Sequence, residues 1–140
     1  MTEDDFISRL IGPSRLVLTS VEACLLAQAL GCLRQQAPQL TFDLAFDDVL
    51  SKDTLPGGNT GRQRYAALEA AQTRLTQPLK YETLRQGHRC SDYTVLFTSL
   101  SLDEDTERIT GEFNPHFRTY WLELAASFTP VEVASLLLLR

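Results

Sequence analysis

The chain has 140 residues, of which 44% are hydrophobic and 22% are charged, and its net charge is −5. A chain of this length and balance is typical of one globular domain, whose core is large enough to fold without disulfides or a metal. It contains no hydrophobic run of the about 18 residues that a membrane span requires, and its acidic N-terminus does not resemble a signal peptide. We therefore expect a cytoplasmic protein that has no contact with a membrane.

The charged residues are distributed unevenly along the chain. Residues 1–56 carry a net charge of −4, residues 57–91 carry +4, and residues 92–140 carry −5. The negative total disfavours binding to nucleic acid, but a basic middle segment between acidic flanks can still present one positive face. Any contact with nucleic acid is therefore expected in the middle of the chain.

The N-terminal third predicts two helices and a strand. Residues 1–17 form an N-terminal extension or a short helix. Thr19 and Glu22 then fit a capping box, in which a hydroxyl and a carboxylate satisfy the free backbone donors of a helix start. The hydrophobic residues that follow are spaced as in a helix. A short strand around Leu40–Leu44 and a short helix over Phe46–Leu50 come next.

The middle of the chain predicts a loop and a second long helix. Residues 51–61 contain Pro-Gly-Gly and read as the loop, and the helix extends from about Gly61 to Thr76. The buried stripe of this helix consists of Tyr65, Leu68, Ala71 and Leu75, and we place Arg62 and Arg64 off that stripe. Basic residues in a first turn oppose the helix dipole, so these arginines suggest a purpose other than stability.

The last part of the chain predicts strands and then helices. A strand covers Leu79–Leu84, a turn follows at residues 86–88, and one strand extends from Tyr93 to Leu102. An acidic turn, Asp103–Glu107, leads to a return strand over residues 109–113. Asn114 and Pro115 suit the start of a helix, and a further, almost wholly apolar helix covers Val131–Leu139.

This order of elements predicts an α+β fold of the winged-helix type. The short helix, the loop and the second long helix form a helix-turn-helix, and the hairpin around the acidic turn forms the wing. Additional helices follow at the C-terminal end. We expect a single domain over residues 18–140.

Three segments resemble a known family. They are LTSVEACLLAQAL, YAALEAAQTRLTQPLKYE and, most specifically, LFTSLSLDEDTERITGEFNPHFRTYWLELAASFTPVEVASL. Together they resemble the N-terminal winged-helix domain of plasmid replication initiators, the Rep proteins with two tandem winged helices. The chain departs from the family in that it ends at Arg140, so we expect it to lack the second winged helix. The acidic wing turn is a second departure, because it suits a phosphate contact poorly.

The resemblance implies a function and a set of partners. In the family, the N-terminal winged helix mediates dimerisation and contacts the phosphate backbone of origin DNA, and the second winged helix reads the bases. The expected partners are therefore double-stranded origin DNA, a second copy of the chain and host replication proteins, in the bacterial cytoplasm. Two alternatives remain open: a pure protein-interaction module without DNA contact, and a free-standing transcriptional repressor.

The candidate DNA contacts are the basic residues of the middle segment and two polar residues at the start of its helix. They are Arg62, Arg64, Arg74, Lys80, Arg85, Arg89, Asn59 and Thr60. The candidate dimer or interdomain interface is Leu136, Leu137, Leu138 and Leu139, because four consecutive leucines cannot all face one side of a helix.

The sequence gives no indication of catalysis, a metal site or a cofactor. The segment PGGNTGR lacks the spacing of a phosphate-binding loop. His88 and His116 are 28 residues apart, and the three cysteines do not form a CxxC pair. We therefore expect a protein that is not an enzyme.

Overall fold

The structure is a computed structural model that describes residues 18–36, 39–51 and 60–127. Its helices are α1 (Ser20–Gln36), α2 (Phe46–Val49), α3 (Thr60–Leu75) and α4 (Arg118–Ser127), with a 3-10 turn at Pro115–Phe117. Its strands are β1 (Thr41–Ala45), β2 (Leu79–Arg85), β3 (His88–Thr94), β4 (Phe97–Asp103) and β5 (Arg108–Phe113). The predicted N-terminal extension and the predicted helix over Val131–Leu139 lie outside the described residues.

Helix α1 is the central helix of the core, and its predicted capping box is confirmed. The Thr19 N–H donates to Glu22 Oε1 over 2.9 Å, and the Glu22 N–H donates to Thr19 Oγ1 over 3.2 Å. The Glu22 carboxylate is buried, and its Oε2 lies 3.6 Å from Arg74 Nε. The cap of α1 is thereby joined to the end of α3. Beyond the cap, α1 contacts β1, α3 and α4.

A three-stranded antiparallel sheet in the order β1-β5-β4 covers one side of the core. Four aromatic rings fill the space between this sheet and α4, with centroids of neighbouring rings 4.8–5.7 Å apart: Phe42, Phe97, Phe113 and Trp121. The Trp121 indole N–H donates to the Asn114 carbonyl over 3.0 Å, so the ring has both an apolar environment and a polar partner. Helix α3 is held to β4 by Gln72 Nε2, which donates to the Leu100 carbonyl over 2.6 Å.

The arrangement confirms the predicted winged-helix fold. Helices α2 and α3 form the helix-turn-helix, and β4 and β5 form the wing around the acidic turn. Strand β1 pairs with β5 from Thr41↔Glu112 to Ala45↔Arg108, which attaches the wing to the segment before the helix-turn-helix. Asn114 caps the next helix as predicted, because its side chain accepts a hydrogen bond from the His116 N–H.

The prediction of one strand from Tyr93 to Leu102 is wrong. The chain forms two strands there, β3 paired with β2 and β4 paired with β5, and residues 95–96 separate them. The backbone carbonyls at the break accept from Asn114: its Nδ2 donates to Val95 over 2.9 Å and its N–H donates to Leu96 over 2.9 Å. Residues 95–97, Val-Leu-Phe, are all hydrophobic and typical of a strand, so the sequence alone does not mark where the chain changes sheets.

The placement of Arg64 off the buried stripe of α3 is also wrong. Arg64 is 1% exposed, because it precedes Leu68, Ala71 and Leu75 by 4, 7 and 11 residues and so belongs to the same helical face. Its Nη1 donates to Asp47 Oδ1 of α2, and its Nη2 lies 2.6 Å from Glu107 Oε2 of the wing turn. Its predicted contact with a DNA phosphate is incompatible with this burial.

The buried guanidinium completes a junction between α2, α3 and the wing, which we call the Arg64 junction: Arg64, Asp47, Glu107 and Phe46. The Arg64 Cζ atom lies 5.5 Å from the centroid of the Phe46 ring, and Nε is buried without a hydrogen-bond partner. The Phe46 N–H donates to the Glu107 carbonyl over 2.9 Å. The positive φ of Glu107, 56°, turns that residue so that both its carbonyl and its carboxylate serve the junction.

We expect Gly111→Ala to destabilise the sheet. A Cβ at Gly111 would lie 2.5 Å from the Ser99 carbonyl oxygen and 2.8 Å from Phe42 Cζ, and the first of these is backbone that cannot move aside. The expected loss is about 1–3 kcal/mol in the free energy of unfolding, measured with urea. Gly61→Ala is the matched control, because no atom lies within 4 Å of its added methyl, and it should stabilise α3 by up to about 1 kcal/mol. Equal effects at the two glycines would contradict the close contact in the sheet.

At the Arg64 junction, we expect removal of the positive charge to lower the free energy of unfolding less than removal of the two negative charges. Arg64→Met leaves two carboxylates that are 66% and 42% exposed and can hydrate, so we expect a loss of about 1–3 kcal/mol. The double variant Asp47→Asn/Glu107→Gln instead leaves a buried guanidinium without a counter-charge, and we expect a loss of about 3–5 kcal/mol. Arg62→Met, on the exposed side of α3, should stay within about 0.5 kcal/mol of the wild type. Urea unfolding of the four proteins tests this order, and a larger loss for Arg64→Met than for the double variant would refute it.

Candidate nucleic-acid interface

The predicted basic residues occupy two separate elements, and the first of these is α3. Arg62 is exposed in the first turn of that helix, which contains no acidic residue. Thr60 is the first residue of α3, while Asn59 lies outside the described residues. The amino end of a helix offers unpaired N–H groups and a partial positive charge, so an arginine at this position adds to a field that already attracts anions.

Arg74 lies at the other end of α3, and its charge is partly used within the protein. Its side chain is 43% exposed, and its Nε faces the buried Glu22 carboxylate. This ion pair gives the buried carboxylate of Glu22, a residue of α1, a counter-charge. Arg74 is therefore poorly placed to serve mainly as a ligand for phosphate.

The second basic element is the hairpin of β2 and β3, a two-stranded sheet that is separate from the wing. Gln86 and Gly87 form its two-residue turn, with φ angles of 51° and 81°. Positive φ at both central residues is the requirement of a type I′ turn, which matches the twist of a hairpin. The predicted strand and turn are thereby confirmed, but their pairing with residues 88–94 was not foreseen.

The register of this hairpin separates its basic residues into two faces. Lys80 pairs with Tyr93 and Leu84 pairs with Arg89, and all four side chains are exposed. We call these four residues the hairpin face. Arg85 pairs with His88 on the opposite side, where Arg85 Nη2 lies 2.6 Å from Asp92 Oδ1. The structure therefore places Lys80 and Arg89 on one face, near opposite ends of the hairpin, and Arg85 on the other face.

The hairpin face also contains apolar surface that was not predicted from the sequence. Leu84 is 73% exposed and Tyr93 is 72% exposed, and among the described residues no other large hydrophobic side chain is classed as exposed. The signal was present in the sequence, because side-chain direction alternates along a strand, and the position of the Gln-Gly turn then predicts which residues of the two strands share a face. It was hidden by the assignment of Tyr93 to a longer strand.

The wing turn is anionic, as its sequence suggested. Asp103 Oδ1 accepts hydrogen bonds from the Thr106 and Asp105 N–H groups, over 3.2 Å and 3.0 Å. The Thr106 backbone and hydroxyl, followed by the Asp105 backbone, hold the pKa of the Asp103 carboxyl below its usual value. Glu104 and Asp105 are exposed beside it. A wing of this charge repels phosphate at neutral pH, so the basic elements are the better candidates.

The described residues offer little for other chemistry. Within them, no group of three or more His, Cys, Asp or Glu side chains is arranged to hold a metal ion. Burial raises the pKa of the Cys24 and Cys32 thiols, which keeps them protonated and unreactive at neutral pH. No helix in the part of the chain that the structure covers is long and apolar enough to cross a membrane.

Comparison with known proteins supports the fold. No protein-family model and no curated protein sequence matches the chain. Among solved structures, the WH1 domain of MSBI1.176, a replication protein isolated from a multiple sclerosis patient, superposes with a TM-score of 0.54 and 15% identity, over 90% of this chain and 95% of that one. Domains 2 and 3 of RctB superpose with a TM-score of 0.50 and 13% identity, over 86% of this chain and 53% of that one. The chain thus shares the winged-helix fold of a WH1 domain over nearly its full length.

Proposed function

We propose that this chain is the winged-helix domain of a plasmid replication initiator, that it contacts the phosphate backbone of DNA, and that it dimerises. The observation that carries the proposal is the superposition on the WH1 domain of a replication protein across 90% of the chain. The proposal implies origin DNA and host replication proteins as partners, and it assigns no catalysis to the domain.

The DNA contact in this proposal uses Arg62, Lys80 and Arg89. All three are exposed, whereas Arg64 is buried and Arg74 is only partly exposed. Arg85 is exposed as well, but it lies on the opposite face of the hairpin from Lys80 and Arg89. Contacts of this kind neutralise phosphates and position a protein without reading the base sequence. The anionic wing turn takes no part, so the binding is expected to be moderate and strongly dependent on salt.

The dimer in this proposal uses the leucines at positions 136–139, which lie outside the described residues. In the helix that the sequence predicts there, four consecutive leucines cannot all face one side, so at least one of them requires cover from a direction other than its own domain. A second copy of the chain provides that cover most simply, because an isologous interface buries the same patch twice.

A pure protein-interaction module is the second candidate. The negative net charge and the acidic junction between α2 and the wing favour it, since both repel DNA. It predicts dimers without any affinity for duplex DNA, so the measurements below separate the two candidates. A free-standing repressor would in addition require discrimination between operator sequences.

We expect Arg62→Gln to weaken binding to duplex DNA and to reduce its salt dependence. Each lost phosphate contact lowers the slope of log K against log salt by about 0.9 in magnitude. Fluorescence anisotropy with a labelled duplex of arbitrary sequence, at several salt concentrations, measures both quantities. Arg118→Gln is the matched control, because it removes another exposed arginine from the first turn of a different helix. An unchanged slope for Arg62→Gln, or an equal decrease for the control, would remove Arg62 from the interface.

We expect the chain to form dimers at micromolar concentration. Sedimentation velocity should show a species of twice the 15.7 kDa chain mass that dissociates on dilution. Leu137→Ser/Leu138→Ser should weaken this association at least tenfold if the leucine segment is the interface. A wild-type protein that remains monomeric would contradict dimerisation itself. Dimers that persist in the double variant would instead place the interface on another surface.

A further inference from the structure

We propose that the hairpin face binds single-stranded nucleic acid by stacking an unpaired base on Tyr93 and holding the flanking phosphates with Lys80 and Arg89. The inference rests on the proposed function, since it specifies which form of nucleic acid this part of the domain takes. It concerns a surface outside the three-stranded sheet of the winged helix, because β2 and β3 pair only with each other among the described strands.

The first observation is the coincidence of exposed apolar and basic side chains. A single exposed hydrophobic residue is ordinary in a soluble protein. Here the two large hydrophobic side chains classed as exposed among the described residues, Leu84 and Tyr93, lie on the same face of the same hairpin. Each is the direct cross-strand partner of a basic residue, Arg89 and Lys80 respectively. Folding of the described residues leaves this combination in solvent.

The second observation is the spacing of these cross-strand pairs. Lys80–Tyr93 and Leu84–Arg89 are separated by four residues along each strand, which corresponds to about 13–14 Å. A stacked nucleic-acid strand advances about 3.4 Å per nucleotide, so the face spans about four nucleotides. The face has a ring and a cation at one end, Tyr93 and Lys80, and an aliphatic side chain and a cation at the other, Leu84 and Arg89. This arrangement matches the alternation of bases and phosphates in a short strand.

The third observation is the charge of the hairpin relative to the rest of the chain. Residues 79–94 contain three bases and two acids, for a net charge of +1, whereas the whole chain carries −5 and the remainder therefore carries −6. One of the two acids, Asp92, is paired with Arg85 on the opposite side, and the other, Glu82, lies at the register position between the two cross-strand pairs. A polyanion approaching this protein is thus attracted to the hairpin and repelled by the wing turn.

The exposed ring favours a single strand over a duplex. Bases in a duplex are already stacked on each other and present only their edges in the grooves. A tyrosine that stands 72% exposed on an open sheet can stack on a base only if that base is unpaired.

The central test is the affinity of the 140-residue chain for short fluorescein-labelled probes of 12 nucleotides. They are oligothymidylate, oligouridylate and a duplex of mixed sequence. Tyr93→Ala should weaken binding to the single strands at least about fivefold, and Tyr93→Phe, which retains the ring, should change it less than about twofold. Neither substitution should change the affinity for the duplex by more than about twofold. The two single-stranded probes show whether DNA or RNA is preferred.

Leu84→Ala is the matched control, since it removes a side chain of equal exposure from the same face but no aromatic ring. It should affect single-strand binding less than Tyr93→Ala. A probe that carries 5-iodouracil provides a second measurement that does not depend on a variant: irradiation should crosslink the peptide that contains Tyr93. Both positions are on the surface, and thermal unfolding of each variant confirms that its fold is retained.

The outcomes separate this inference from the proposed function. Duplex binding without single-strand binding would overturn the inference and leave the proposed function intact. Absence of both would remove the proposed function and the inference with it. Single-strand binding that is indifferent to Tyr93→Ala and crosslinks elsewhere would assign it to another surface. Loss of dimers in Tyr93→Ala, with unchanged nucleic-acid binding, would assign the hairpin face to protein contact and overturn the inference.

Discussion

The buried guanidinium of Arg64 is the constraint on which the arrangement of this domain depends. A positive charge that is 1% exposed must be matched by carboxylates within the protein, and the two that match it come from different elements. Asp47 fixes the start of α2 against α3, and Glu107 fixes the wing turn against both. The positions of α2, α3 and the wing relative to one another are therefore tied to the buried charge of Arg64.

This constraint also decides where charge appears on the surface. The carboxylates of α2 and the wing turn are drawn to Arg64, and they are only partly covered, so the corner of the domain at the wing is acidic. A second ion pair, between Arg108 Nε and Asp43 Oδ1 at 2.9 Å, lies along the adjoining strands. A wing whose turn is acidic and packs against its own helix-turn-helix is poorly suited to contact DNA. The side chains of the middle segment that are basic and exposed are Arg62 on α3 and Lys80, Arg85 and Arg89 on the β2–β3 hairpin.

The hairpin of β2 and β3 is the least integrated part of the described fold. It forms its own two-stranded sheet between α3 and the wing, and it contains the two most exposed large hydrophobic residues. Its type I′ turn sets the register of the two strands, and the core contacts it mainly at Leu79, which is buried at its base. An element that folds on local pairing can present side chains to a partner at little cost to the rest of the domain. This separation is the physical basis for assigning it a role distinct from that of α3.

The elements of the fold were predictable where local chemistry decides. The capping box at Thr19 and Glu22, the stripe of Leu68, Ala71 and Leu75, the acidic turn and the Asn114 cap each depend on contacts within a few residues, and all four are present. From these elements and their order, the winged-helix fold itself followed. The candidate site was only partly predictable: Arg62, Lys80 and Arg89 are exposed as expected, while Arg64 is not.

Only the tertiary structure decided that Arg64 is buried and that residues 93–102 belong to two strands. The spacing of Arg64 places it on the buried stripe of α3. An arginine at such a position can be buried only if carboxylates pair with it, and here these come from residues 17 and 43 positions away in the sequence. The change of sheet at residues 95–96 similarly depends on Asn114, which lies 19 residues beyond Val95. Asn114 donates hydrogen bonds to the backbone carbonyls of Val95 and Leu96 at the break. Sequence alone therefore determined the helices, their caps and the turns, because the signals for these elements are local. The tertiary structure determined which charges are buried and which strands pair, because those outcomes depend on partners that come together only when the chain folds.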